Sequence, residues 1–266
     1  MKGGSIVENT KQPYGTVLIK ASSILDFLSA KKEPQALNVI AQETGLTSST
    51  ALKILDTLLL IGYVKKHPET KKFGLGSALI KYANKYLADL DISKISYPYL
   101  KELQNNLDET IHLGILEGDE ILTVNKLETK KPIVCLNSRI GLSKPLYCSA
   151  MGKAVLSEMP ASEIAAYLSR VELKPITETT ITNPENLLKQ LEDVKRNGYA
   201  IDDSEGEKDV YCLGVSLVMN NKTYGAFSVS VPAYRLSPEV KDQIVQAILK
   251  TKENIQRELQ QNYVFI

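Results

Sequence analysis

The sequence predicts an α+β protein: an N-terminal winged helix-turn-helix, a linker helix and a larger C-terminal α+β domain built on an antiparallel sheet. Three observations predict it. From Ala36 to Val64, two runs of helical period flank a Thr-Gly turn, and a short lysine-flanked hairpin follows. Beyond residue 91, helical and alternating strand-like runs are interspersed around hairpin turns. The charge balance also changes sign along the chain. Residues 1–76 hold 10 Lys and no Arg against 6 acidic residues, a net of +4, in a protein whose total is +1.

At 266 residues the chain suits two domains, or one large one, and a hydrophobic content of 43% with 24% charged residues describes an ordinary globular protein that can bury a core. No apolar run reaches the roughly 18 residues of a membrane helix. The leader MKGGSIVENTKQPYG lacks the apolar stretch of a signal peptide, so a cytoplasmic protein with no membrane partner is expected. Cys135, Cys148 and Cys212 are widely spaced and odd in number, which fits reduced thiols. With only His67 and His112 besides, no metal-ligand spacing can be read, and neither a metal nor a cofactor is expected.

Val17, Ala21, Ile24, Leu25 and Leu28 recur at helical spacing and predict a first helix. Leu37, Ile40 and Ala41 predict a second, ended at Thr44-Gly45, where Gly can take a left-handed position. Thr47 is placed to cap a third helix whose inward stripe is Ala51, Leu55, Leu58, Leu59 and Gly62. Ser48, Ser49, Thr50 and Lys53 then face outward near its start, the end of a reading helix that meets base edges and phosphates. A solvated helix face would look the same in isolation; the preceding helix and Gly turn favour DNA. Tyr63–Lys66 and Lys72–Leu75 predict two strands around Pro68-Glu69-Thr70-Lys71. Lys65, Lys66, Lys71 and Lys72 give this wing the charge for phosphate contact. An ordinary charged hairpin is the alternative, made less apt by its place directly after a helix-turn-helix.

The run from Leu37 to Gly76, with ETGL, the small polar start TSST, LLLIGYV and a wing closing on FGLG, resembles the DNA-binding domain of the isocitrate lyase regulator (IclR) family of bacterial transcription factors. That family usually carries Arg where this chain has Lys53, and Tyr-Arg-Leu-Gly where it has Phe73-Gly74-Leu75-Gly76. Lys lacks the planar fork of Arg, so the base contacts implied differ.

Leu79, Ala83, Tyr86, Leu87 and Leu90 mark a linker helix, giving domains at 1–76 and 91–266 joined by 77–90. A single winged helix reads few base pairs, so a dimer or a dimer of dimers on a pseudo-palindromic operator is expected. Ile92, Ile95, Tyr99, Leu100, Leu103 and Leu107 open the second domain as a helix. A hairpin follows, Thr110–Leu116 with Ile121–Leu127, and further strands are expected at Ile133–Asn137, Tyr199–Ile201, Tyr211–Met219 and Tyr224–Val231. Ser149–Glu158, Ser162–Ser169 and Pro184–Asn197 read as helices. A C-terminal helix presents Val240, Ile244, Ile248, Thr251, Ile255 and Leu259 on one face.

Three stretches of this domain carry possible chemistry. Small residues around Ser149, Ala150 and Met151 open a helix, whose free N–H groups suit an anion; a tight packing turn would use the same residues. Asp202 leaves a strand where it could accept from ligand hydroxyls, as a solvated loop acid would accept from water. Alternation puts Ser228 and Ser230 on one sheet face, opposite Phe227, Val229 and Val231.

LYCSAMGKAVL, TITNPENLLKQLEDVKRNGYAIDDSE, YCLGVSL and SVSVPAYRL, in that order, resemble the IclR effector domain, which is related to GAF domains. The resemblance implies a ligand carboxylate held by backbone N–H groups at Ser149, Ala150 and Met151, with Asp202, Cys212, Ser228 and Ser230 completing the pocket. This chain has Asp209 where the family favours Gly, and Gly214 where it often has Ala. The implied function is a ligand-responsive transcriptional repressor, not an enzyme, that answers a small organic acid; the acid acceptor Asp202 beside the hydroxyls of Ser228 and Ser230 favours a hydroxylated one, such as a sugar acid, over a purely apolar one. The alternatives are a C-terminal domain that only oligomerises, and a Cys-dependent enzyme using Cys148 or Cys212 with His112 as base.

Overall fold

The computed structural model describes residues 14–89, 91–131 and 138–263. The chain clusters into two compact units, Met1–Asp89 and Leu90–Ile266. No helix among the described residues is long and apolar enough to cross a membrane.

The first unit contains helices α1 (Thr16–Ala30), α2 (Leu37–Glu43) and α3 (Ser48–Leu60), strands β1 (Val64–Lys66) and β2 (Phe73–Leu75), and helix α4 (Ala78–Asp89). Local chemistry explains its turns. Gly45 takes φ 65° after α2, and the Leu46 N–H closes back onto the Ala41 carbonyl at 2.9 Å. Thr47 Oγ1 accepts from the Thr50 N–H at 3.2 Å, capping α3 as its sequence predicts. Ile24, Leu28, Ile40, Ile54, Leu55, Leu58, Val64 and Phe73 form the core of this unit. The inward stripe of α3 is therefore Ala51, Ile54, Leu55 and Leu58, and Leu59 is only half-buried. Gly62 does not belong to that stripe: the helix ends first, and Gly62 at φ 75° swings the chain into β1.

The base of α4 is tied to this turn. Gly76 N–H donates to the Tyr63 carbonyl at 2.8 Å and Ala78 N–H to the Gly62 carbonyl at 3.2 Å. A Cβ on Gly76 would stand 2.1 Å from the Gly62 oxygen, so only glycine allows the approach. The Tyr63 and Tyr82 rings add an edge-on contact at 5.8 Å. Of the predicted linker stripe, Leu79 is half-buried, Ala83 and Tyr86 are exposed, and the side chains of Leu87 and Leu90 lie outside the described residues.

In the second unit α5 (Asp91–Leu107) leads into β3 (Thr110–Glu117), β4 (Glu120–Leu127) and a short β5 (Ser143–Pro145). A 3-10 turn at Leu146–Cys148 then precedes α6 (Ala150–Glu158), α7 (Ala161–Arg170) and α8 (Pro184–Asn197). The chain closes with β6 (Ala200–Asp203), β7 (Val210–Met219), β8 (Lys222–Pro232) and α9 (Pro238–Tyr263). The strands form one antiparallel sheet in the order β5-β4-β3-β8-β7-β6. Short β5 has no alternation to reveal it in the sequence, and the expected strand at Ile133–Asn137 lies outside the described residues. Gly198, at φ 79°, stops α8 at the predicted residue.

Both faces of the sheet are covered. Ile111, Leu113, Leu213, Val215, Leu217, Phe227 and Val229 share one face by alternation and are fully buried. α5 and α9 pack here, the latter through Ile244, Ile248, Ile255 and Leu259. On the other face α6 lies across β7 and β8. Met151, Val155 and Leu156 join Ile121, Tyr147, Ile164, Tyr167, Leu187, Leu191 and Ala226 in a second core there. This face carries polar residues near the start of α6, and they define the site.

Candidate functional site

Register assembles the polar face. One cross-strand row runs Thr110 (β3), Ser230 (β8), Cys212 (β7), Asp202 (β6); its neighbour runs Lys126 (β4), His112 (β3), Ser228 (β8), Gly214 (β7). The start of α6 lies over the second row at Gly214, where a Cβ would meet the Ala150 carbonyl carbon at 2.7 Å and the Met151 nitrogen at 2.9 Å. Glycine here lets the helix terminus approach the sheet more closely than the alanine common in the resembling family would.

Ser149 caps α6 by accepting from the Gly152 N–H at 3.1 Å. The N–H groups of Ala150 and Met151 precede the first intrahelical bond and find no acceptor among the described residues. They point the positive end of the helix into a cavity lined by Ser149, Ala150, Met151, Asp202, Cys212, Ser228 and Ser230. These are all seven pocket residues that the resemblance implies, brought together from four separate stretches. Lining it too are His112, Thr123, Ser138, Lys144, Glu207 and Val210, which sequence reasoning missed. His112, named from sequence only as the base of the rival enzyme reading, is a pocket wall. Its signal was the register that sets it opposite Ser228.

The electrostatics follow from burial. Asp202 is buried, and loss of solvent raises its carboxyl above the usual range, opposed by Lys153, by N–H bonds from Glu205 and Gly206, and by Lys144. Those two N–H groups donate to Oδ1 at 2.7 and 3.2 Å. Lys153, fully buried on α6, pairs with the Glu205 carboxylate and donates to Gln190 Oε1 at 2.7 Å. Glu205 Oε2 is buried with no partner among the described residues. Burial, with the charges of Lys126 and Lys144, presses His112 down to about 3, so its ring is neutral. Burial pushes the thiols of Cys148 and Cys212 up to about 12, leaving both protonated. Asp209, beside the cavity, holds φ 62°, the backbone state that accounts for glycine being the common choice there. Among the described residues no cluster of His, Cys, Asp and Glu has the makings of a metal site.

In the first unit Ser48, Ser49 and Lys53 are exposed on the first turns of α3 and Thr50 is half-buried. Lys65, Lys66, Lys71 and Lys72 are exposed on the wing, with Lys66 Nζ lying 5.0 Å from the centre of the Phe73 ring. The strands are shorter than expected by a residue each, since β1 starts at Val64 and β2 at Phe73.

Known proteins share this fold. Residues 17–68 match the IclR helix-turn-helix domain, and residues 84–257 match the bacterial transcriptional regulator IclR C-terminal domain. The HTH-type transcriptional regulator KdgR of Escherichia coli (strain K12) is 32% identical over 231 residues, 86% of this chain and 87% of that protein. The crystal structure of the Thermotoga maritima IclR superposes with a TM-score of 0.73 at 32% identity, covering 92% of this chain and 99% of that one. An IclR homolog from Microbacterium hydrocarbonoxydans, solved in complex with 4-hydroxybenzoate, has the same fold, with a TM-score of 0.76 at 22% identity over 92% of this chain and 99% of that one. Helix-turn-helix head, polar pocket and whole-chain similarity agree: the protein is a transcriptional regulator of the IclR family.

Proposed function

We propose that the protein is a ligand-responsive repressor that binds a pseudo-palindromic operator through α3 and its lysine wing, and a small organic acid in the pocket under α6. The domains in this reading are 1–76 for DNA, 77–90 as linker and 91–266 for effector and oligomerisation. The observation that carries it is the juxtaposition of two unpartnered N–H groups, at Ala150 and Met151, with the buried acceptor Asp202 and the hydroxyls of Ser228 and Ser230 in one cavity. The helix terminus holds a carboxylate. Asp202 accepts from hydroxyls that a purely apolar acid lacks, which favours a sugar acid. The 4-hydroxybenzoate held by the Microbacterium homolog is likewise an organic acid.

The cavity itself is about 40 Å³, room for roughly two or three waters. Entry of an acid therefore displaces its lining, and a ligand with unequal affinity for two arrangements of the subunits shifts their balance. Exposed Leu18, Ile80, Tyr82 and Tyr86 on α1 and α4 support a dimer or a dimer of dimers. Protonated thiols on Cys148 and Cys212, and the serine partners of His112, count against a Cys-dependent enzyme.

Calorimetric titration against 2-keto, sugar and aromatic acids tests the ligand class. Binding of sugar acids is expected, and binding of aromatic acids alone excludes them. Mobility-shift assays on genomic fragments recovered with the protein test the operator, and release of that DNA by the bound acid tests repression.

A further inference from the structure

The polar row Gly214, Ser228, His112, Lys126 has a direction. Its β7 end lies beneath the N–H groups of Ala150 and Met151, which under the proposed function hold the ligand carboxylate. His112 stands in the same row on β3, two strands away, a span of about 10 Å at the roughly 4.8 Å spacing of neighbouring strands. A six-carbon acid anchored at α6 and lying along the row ends at His112.

That far wall is built from uncharged groups. His112 Nε2 lies 2.8 Å from Ser138 Oγ, and Nδ1 lies 3.3 Å from Ser230 Oγ, which is itself 3.1 Å from Cys212 Sγ. The ring is 5% exposed. Being neutral, it offers one donor and one acceptor, and each is engaged by a hydroxyl that keeps spare hydrogen-bonding capacity. The side-chain hydroxyl of Ser228, directly across from His112, makes no hydrogen bond to another described residue. The nearby cations are already paired: Lys126 with the Ser138 carbonyl at 2.8 Å and Glu128 at 3.0 Å, and Lys144 with Glu207 at 3.8 Å.

We propose that His112 sets ligand specificity at the far end of the pocket, through Ser138, Ser228 and Ser230, by selecting acids whose distal end carries an uncharged hydroxyl or carbonyl oxygen over acids with a bare alkyl end or a second carboxylate. This rests on the reading of the cavity as an acid site. A bare alkyl end leaves the buried relay without a partner, and a second carboxylate meets no unpaired cation there.

The test is calorimetry on the full-length protein with three acids of equal chain length: gluconate, hexanoate and adipate. Wild type binds gluconate at least about tenfold more tightly than the other two, the effect of one or more buried hydrogen bonds. His112→Phe reduces that preference to about threefold or less by weakening gluconate alone, and His112→Asn, which keeps a donor and an acceptor, restores part of it. Thermal midpoints of both variants are recorded so that loss of fold is recognised. Three outcomes overturn the inference: an unaltered preference in a folded His112→Phe, equal loss of all three acids in a folded variant, or a wild-type preference for adipate. Wild type binding none of the three acids, nor any of the 2-keto and aromatic acids titrated above, overturns the acid-site reading and this inference together; binding only the latter overturns this inference alone, and the other outcomes leave the acid-site reading intact.

Discussion

The main-chain N–H of Glu205 donates to Asp202 Oδ1 at 2.7 Å. The residue that pairs with buried Lys153 is therefore also the one that aims the pocket carboxylate, and α6 is joined to the β6–β7 loop by opposite charges inside the protein. Thr177 and Thr180 hold the same loop from outside, donating to the Ser204 and Glu205 carbonyls at 2.7 Å each.

Removing one member of that pair strands the other. Lys153→Met is expected to destabilise the C-terminal domain by about 3–5 kcal/mol, because the Glu205 carboxylate is left buried without its cation. Lys153→Met combined with Glu205→Gln is expected to recover most of the loss. Urea denaturation of the wild type, the two single variants and the double variant measures the coupling, and simple additivity would argue against a buried pair.

The contact between Gly76 and the Gly62 carbonyl makes a second prediction. Gly76→Ala forces the base of α4 away from the α3–β1 turn and should destabilise the head by about 1–3 kcal/mol. Operator affinity should fall with it while acid binding in the second unit is retained. Limited proteolysis alongside mobility-shift assays would report both, and wild-type behaviour in each would mean the backbone accommodates the methyl group.

His112 predicts a pH dependence. Its ordinary value of 6.5 falls to about 3 in the fold, so unfolding takes up a proton between those limits and stability declines as pH drops through that window. The slope from this group is at most about 1.4 kcal/mol per pH unit. Asp202 and Glu205, raised by burial, act in the opposite sense and bind protons more readily when folded. His112→Asn should thus remove stability loss on acidification relative to wild type. Parallel slopes between about pH 7 and 5, measured by urea midpoints, would contradict a suppressed histidine.

On the DNA side, Lys53→Ala should weaken operator binding and lower the salt slope by about one counterion per contacted half-site, with α3 intact because alanine favours helix. Circular dichroism and a salt series on one operator fragment separate these effects. A slope identical to wild type would place Lys53 away from phosphate.

Much of this molecule is legible where the chemistry is local. Gly45, Thr47 and Gly198 act within a few residues of themselves, and each ends or caps the helix their sequence announces. The alternation of Ser228 and Ser230 is a local property too, but its meaning depends on what lies opposite. His112 and Ser230 are separated by 118 residues, and their meeting depends on a β3–β8 register interrupted on the other side by an irregularity at Leu113/Gly114. Lys153 lies in a helix whose every neighbour from Ala150 to Ser157 is buried, and its partner is 52 residues away. A lysine ordinarily signals a solvated face, so the sequence pattern conceals it. Lys144 comes from a three-residue strand too short to have a pattern.

The alternation of the sheet also separates two kinds of change. Residues 112, 212, 228 and 230 face the cavity, while residues 111, 113, 213, 227 and 229, their immediate chain neighbours, face the layer of α5 and α9. Under the proposed function, substituting along the first set changes which molecule is recognised without altering the apolar seam on the other side of the same strands. A lineage can therefore acquire a new signal by changing odd-and-even neighbours independently. The folding problem stays solved while the vocabulary of the sensor drifts.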